Sequence, residues 1–128
     1  MKKVFKMILI VLAVFAAVAA GAALYISHGL DAGSKVDISA VDPSKLSDGI
    51  YFGSYKAGRW SNEVSVTIKD RKISDIEIIK DVSFAMEGLS DEVFNRVIEK
   101  QNTTIDAVSG ATVTCKAYLK AIENALSK

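Results

Sequence analysis

Twenty consecutive residues without a charged side chain, Met7 to Ile26, divide this chain before any fold can be considered. At the helical rise they span about 30 Å, the thickness of a bilayer hydrocarbon core. Lys2, Lys3 and Lys6 precede the run, and no acidic residue appears before Asp31. The positive-inside rule then puts the N-terminus in the cytoplasm and the rest of the chain outside. A cleaved signal peptide fits the same stretch, with its basic start, the apolar run Met7 to Phe15, and the triplets Ala17-Val18-Ala19 and Ala20-Gly21-Ala22. Leu24, Tyr25 and Ile26 carry the apolar stretch past those triplets, and Tyr25 suits an interface. That favours an uncleaved single-pass anchor over residues 1–26, in contact with membrane lipid. No cysteine lies near the end of the run, which argues against a lipoprotein anchor.

The remainder divides by composition. Residues 27–47 are rich in Ser, Asp, Gly and Ala, hold the only proline, Pro43, and read as a linker rather than core. Residues 48–128 are left to build a domain of about 80 residues. A domain that small buries a core only marginally, so a bound cofactor would add usefully to its stability. Of the 16 lysines and arginines three precede the apolar run, which leaves 13 against 15 acidic residues and no basic patch for nucleic acid. The lone cysteine, Cys115, has no partner for an internal disulfide and reads as a buried structural thiol. The only histidine, His28, stands at the membrane exit, so neither residue suggests nucleophilic catalysis or a metal site.

Periodicity outlines a small α+β fold. Gly49 to Tyr55 is an aromatic strand with Tyr51 and Tyr55 on one parity and Phe52 on the other. Trp60 to Lys69 alternates, with Val64, Val66 and Ile68 facing one way and Glu63, Ser65 and Thr67 the other. Asp70-Arg71 supplies a tight turn, although Asp-Gly would be the stronger hairpin signal. Ile73 to Val82 returns; Ile76 and Ile78 agree in parity whereas Ile73 and Ile79 do not, so either a bulge intervenes or both faces are partly covered. Ser90 is a cap for a helix from Asp91, with Val93, Phe94, Val97 and Ile98 as its apolar stripe. Gln101 to Thr104 ends it. A last helix from about Val113 to Ser127 aligns Cys115, Leu119, Ile122 and Leu126, flanked by Ala117, Ala121 and Ala125. The expected architecture is an N-terminal transmembrane helix and a domain of about three antiparallel strands packed by two helices.

Between the two helices the chain reads Asp106-Ala107-Val108-Ser109-Gly110-Ala111-Thr112. Gly110 and Ala111 are small residues suited to close approach of a bulky group. Ser109 or Thr112 can cap the following helix, whose free first-turn N–H groups and dipole make an anion site. Lys116 stands in that first turn, where a cation opposes the dipole unless an anion lies beside it. Asp106 does nothing favourable for a phosphate.

This run resembles the flavinylation motif of the bacterial FMN-binding domain family, Asp-x-x-Ser/Thr-Gly-Ala-Thr. Asp48-Gly49-Ile50-Tyr51, the hairpin through Val66-Thr67-Ile68-Lys69-Asp70, the helix to Lys100-Gln101 and the terminal helix recur there, so the resemblance covers about residues 46–127. It implies covalent FMN, phosphoester-linked to the Thr112 hydroxyl and bound around Ser109, Gly110, Ala111 and Lys116. It also implies that a flavin transferase, with FAD as donor and magnesium, reads Asp106, Ser109, Gly110, Ala111 and Thr112. Flavinylated subunits of sodium-pumping NADH:quinone oxidoreductase and of ferredoxin:NAD oxidoreductase carry this domain, as do standalone extracytoplasmic flavoproteins; the chain's length suits the standalone kind. Where many members carry a Thr-Pro-Gly-like turn, this chain reads Asp81-Val82-Ser83-Phe84-Ala85-Met86-Glu87-Gly88, so no flavin contact is carried over from there. Tyr51, Phe52, Tyr55, Trp60, Phe84 and Met86 are read as core before flavin contacts. The expectation is a membrane-anchored extracytoplasmic electron carrier, exchanging electrons with membrane or extracytoplasmic redox partners, rather than an independent enzyme. A noncovalent FMN-binding redox sensor and a cofactor-free membrane-anchored interaction module are the alternatives.

Overall fold

The computed structural model describes residues 1–27, 36–106, 108 and 110–127. Helix α1 spans Lys2–Ser27, has a mean hydropathy of 2.8 in its most apolar window, and buries none of its residues. By length and composition it can cross a membrane.

The domain is a three-stranded antiparallel sheet in the order β1 (Gly49–Tyr55), β2 (Asn62–Lys69), β3 (Lys72–Lys80), followed by α2 (Leu89–Lys100) and α3 (Thr112–Leu126). Alternation decides its faces. Val64, Val66 and Ile68 of β2 are buried, Glu63, Ser65 and Thr67 only partly so. On β1, Tyr51 and Tyr55 lie half-buried against the core and Phe52 is exposed. The conflicting parities of β3 are resolved by irregularity: the β2–β3 register shifts at Thr67/Ile68 and again at Glu63/Val64. The first shift brings Ile73 beside Ile68 on the buried face with Ile76, and the second leaves Ile79 exposed. The β2–β3 turn places both Asp70 (φ 55°) and Arg71 (φ 64°) in the left-handed region, the geometry of a two-residue hairpin turn.

Both helices pack on one face of the sheet, α3 across β1 and β2 and α2 against β3. Ala117, Ala121 and Ala125 are fully buried and let α3 lie close to β1. At Gly53 the approach is closest: a Cβ there would stand 2.2 Å from the Ala121 carbonyl oxygen and 2.3 Å from the Ala125 nitrogen. Phe94 of α2 meets Tyr118 of α3 edge-on with ring centroids 5.8 Å apart. Each ring is five or six residues into its helix.

Three expectations need correction. Ser90 does not cap α2; the helix begins at Leu89 behind Gly88, whose φ of +78° turns the chain without a side-chain cap. Phe52, Phe84 and Met86 are not core: Phe52 has the opposite parity to the half-buried Tyr51 and Tyr55, and the loop of Phe84 and Met86 runs over the surface and leaves them exposed. The linker is not wholly separate from the domain. His28 lies outside the described residues, but Ile38, Val41 and Leu46 pack on the core and Pro43 is buried. Ser39 is held from both sides: its N–H donates to Glu123 Oε1 (3.0 Å), and its carbonyl accepts from the fully buried Thr103 hydroxyl (2.7 Å). The Val41 N–H donates to Asn102 Oδ1 (3.1 Å) and Lys120 Nζ donates to the Asp37 carbonyl (3.3 Å). These polar groups on α3 and the α2–α3 connection give an otherwise unpaired segment its backbone partners.

Candidate functional site

Thr112 is the first residue of α3 and is exposed. The helix is capped by Ala111, with no side-chain cap hydrogen bond, so the expectation that Thr112 serves as cap is corrected and its hydroxyl is left uncommitted by capping. Ser109 lies outside the described residues. Among the described residues, the first amide of α3 to find a carbonyl one turn back is that of Cys115, bonded to Ala111 O at 2.9 Å. The Thr112, Val113 and Thr114 amides therefore point out of the helix end, where dipole and donors together favour an anion.

Gly110 and Ala111 are small for different reasons. Gly110 has φ +82°, a conformation that a side chain disfavours, and an added Cβ would meet nothing within 4 Å. The space above it is open, as approach by a bulky group requires. Ala111 is buried in the core, so its size answers to packing rather than to a ligand. Lys116 is half-buried one turn into α3.

Asp106 is exposed, and its backbone is held: Arg96 Nη1 donates to its carbonyl at 3.3 Å while Arg96 Nη2 bonds Glu92 Oε1 at 2.7 Å. Cys115 is buried and accepts a hydrogen bond from the Val108 N–H at 3.4 Å. Burial pushes its thiol above the usual range, which keeps it protonated and unreactive.

Other groups gather at this end of the domain. Asp81 Oδ1 accepts from the Tyr118 hydroxyl at 2.6 Å; burial first, and that bond second, raise the phenol's pKa. Asn62 donates to the Trp60 and Ala117 carbonyls (3.2 and 3.1 Å). A cleft of ≈ 490 Å³ opens between Tyr55, Asn62, Lys80 and Asp81. Ala117 and Tyr118 lie five and six residues beyond Thr112, about 8 Å along the helix axis. Arg59 stacks on Trp60, 4.0 Å from the ring centroid, and stands 5.9 Å from Phe84, which holds φ 57°. Nothing in the sequence pattern signals that Arg59 joins two aromatics 24 positions apart.

An exposed hydroxyl at Thr112, open space over Gly110 and a helix N-terminus coincide, an arrangement with room for a phosphate-bearing group. Comparison with known proteins identifies the family. Over 88 residues the chain is 32% identical to a protein named NADH:acrylate oxidoreductase from Vibrio harveyi, covering 66% of this chain and 9% of that protein. Over 92 residues it is 28% identical to an uncharacterised protein of Treponema pallidum (strain Nichols), covering 67% of this chain and 24% of that one. The aligned part is thus a fraction of each relative's length. A family model of the FMN-binding domain matches residues 58–127, a span that includes β2, β3, both domain helices and the whole Asp106–Thr112 run. The chain belongs to the FMN-binding domain family.

Proposed function

We propose that this protein is a membrane-anchored, extracytoplasmic flavoprotein that carries FMN on Thr112 through a phosphoester and relays electrons between redox partners. The carrying observation is the placement of Thr112: exposed, first in its helix, not used as a cap, and next to open space at Gly110. A flavin transferase would supply the group from FAD. The Thr112 Oγ–P bond forms as the pyrophosphate bond breaks, AMP leaves, and the hydroxyl proton passes to a base; no electrons are exchanged. The amides of the first turn receive the phosphodiester charge. Ser109, Gly110 and Ala111 are the surroundings of the link, and Lys116 sits on the turn that faces it. Bound FMN supplies one- and two-electron chemistry, and the protein supplies attachment and surroundings. Helix α1, with three lysines at its start, supports a single-pass anchor with the domain outside the cytoplasm.

In-gel flavin fluorescence after denaturing electrophoresis tests the assignment, with wild type and Thr112→Ala each co-expressed with a flavin transferase. A fluorescent wild-type band that vanishes in the variant is expected. Two dark bands, with the transferase active on a known substrate, would overturn covalent attachment and leave a noncovalent FMN binder or a cofactor-free interaction module.

A further inference from the structure

The stretch that carries Asp106 has to climb from the C-terminal end of α2 to the N-terminal end of α3, and it does so beside α2. In its described part it bonds to no strand. Side chains hold it instead. Lys100 Nζ donates to the Thr104 carbonyl, Arg96 Nη1 donates to the Asp106 carbonyl (3.3 Å), and the Val108 N–H donates to Cys115 Sγ (3.4 Å). The holding points are Thr104, Asp106 and Val108, and a main-chain bond from the Ile105 N–H to the Thr103 carbonyl (3.0 Å) turns the chain where the strap begins. Arg96 and Lys100 are four apart on α2, so they project from one face one turn above the other. Glu92, a further turn along, fixes the Arg96 guanidinium through its second nitrogen. An open groove of ≈ 390 Å³ between Arg96, Glu99, Lys100, Ile105 and Asp106 runs along the same strap. The Thr104 and Asp106 carbonyls accept from α2, whereas the Asp106 side chain is exposed and Thr112 is exposed beyond it.

We propose that Arg96 and Lys100 are positioning residues for flavinylation: they hold the backbone of the Asp106 strap against α2, with the Asp106 side chain exposed, in a form that a transferase can read. This inference rests on the assignment of Thr112 as the modified residue. Neither basic side chain touches the reacting oxygen; both act through the carbonyls they grip. A transferase that binds only the held strap meets it at a fraction of the protein set by the grip, and loss of the grip lowers that fraction. The effect therefore belongs in the apparent affinity for the protein substrate, since a strap already bound by the transferase no longer depends on the clamp.

The test is a steady-state flavinylation assay on the full chain in detergent, with FAD, magnesium and a purified flavin transferase, varying the concentration of this protein. Arg96→Gln and the double change Arg96→Gln with Lys100→Gln are expected to raise KM by about threefold and about tenfold, with kcat within about twofold of wild type. Arg96→Lys, which keeps a donor, should recover most of the Arg96→Gln loss. Glu92→Gln loosens the guanidinium but leaves the donation to Asp106, and is expected to raise KM by less than Arg96→Gln does. Equal KM in wild type and both glutamine variants would overturn the inference, as would a KM rise in Glu92→Gln that matches Arg96→Gln and tracks the loss of melting temperature. Absence of any flavinylation in wild type would instead sink the assignment of Thr112, a different failure from that of the clamp.

Discussion

Glu123 shows how much one side chain can decide here. It is buried, and burial alone would raise its pKa. The bond from Lys120 and the Ser39 amide outweigh that penalty and hold the carboxyl below its ordinary range. A depressed folded-state pKa adds stability that is present above the unfolded value, near 4.5, and is lost as pH falls through the folded one. The stability difference between wild type and Glu123→Gln, read by urea unfolding, should therefore shrink below about pH 4.5. A difference that stayed constant from about pH 6 to about pH 2.5 would show that the charge on Glu123 does not matter. Single residues were also where the sequence was hardest to interpret. Alternation marked Val64 and Ile68 as core, but no local pattern reports that Ser39 meets Glu123 across 84 positions, or that Ala111 rather than Thr112 caps α3.

At the scale of elements, the helix-on-sheet contact at Gly53 leaves no room for a side chain. The obstacles to a Cβ are backbone atoms of α3, which cannot rotate aside as a side chain would. Gly53→Ala is expected to cost about 3 kcal/mol or more, a fall in Tm of over about 10 °C, measured by thermal unfolding. A loss below about 1 kcal/mol would mean that α3 can slide away from β1. The three strands and two helices were legible because period-two and period-3.6 patterns are carried by every residue of an element. The bulges in β3 were legible only as a contradiction, since Ile73 and Ile76 cannot share a face of a regular strand. Element starts were less legible. Gly88 begins α2 by its left-handed backbone, a choice that Ser90, the better capping residue, obscured. Of the candidate site, Gly110 and Thr112 stand out in sequence, whereas the clamp on Asp106 comes from another helix and leaves no mark beside the motif.

For the whole molecule, the boundary between tether and domain lies earlier than composition indicates. A segment rich in Ser and Asp looks solvated, yet Ile38, Val41, Pro43 and Leu46 give it enough apolar surface to dock, and Thr103 and Asn102 satisfy its backbone. A chain truncated before Val36 should keep the melting temperature of the full domain, while one truncated before Asp48 should lose at least about 2 kcal/mol. Equal stability of the two would mean that the docked segment contributes nothing. The docking also sets how far the cofactor can search. Eight residues, 28–35, separate Ser27 from Val36, where the segment leading to the docked Ile38 begins, and whatever their conformation they reach no further than about 30 Å. Had the domain begun at Gly49, that limit would be about 75 Å, and the volume open to the domain around its anchor more than tenfold larger. The docking point is near Glu123, eleven residues and about 16 Å along α3 from Thr112. A flavin on Thr112 would thus ride at the far end of a short arm. Its encounters would be confined to partners in a thin shell above the bilayer, at a local concentration fixed by chain geometry rather than by expression level.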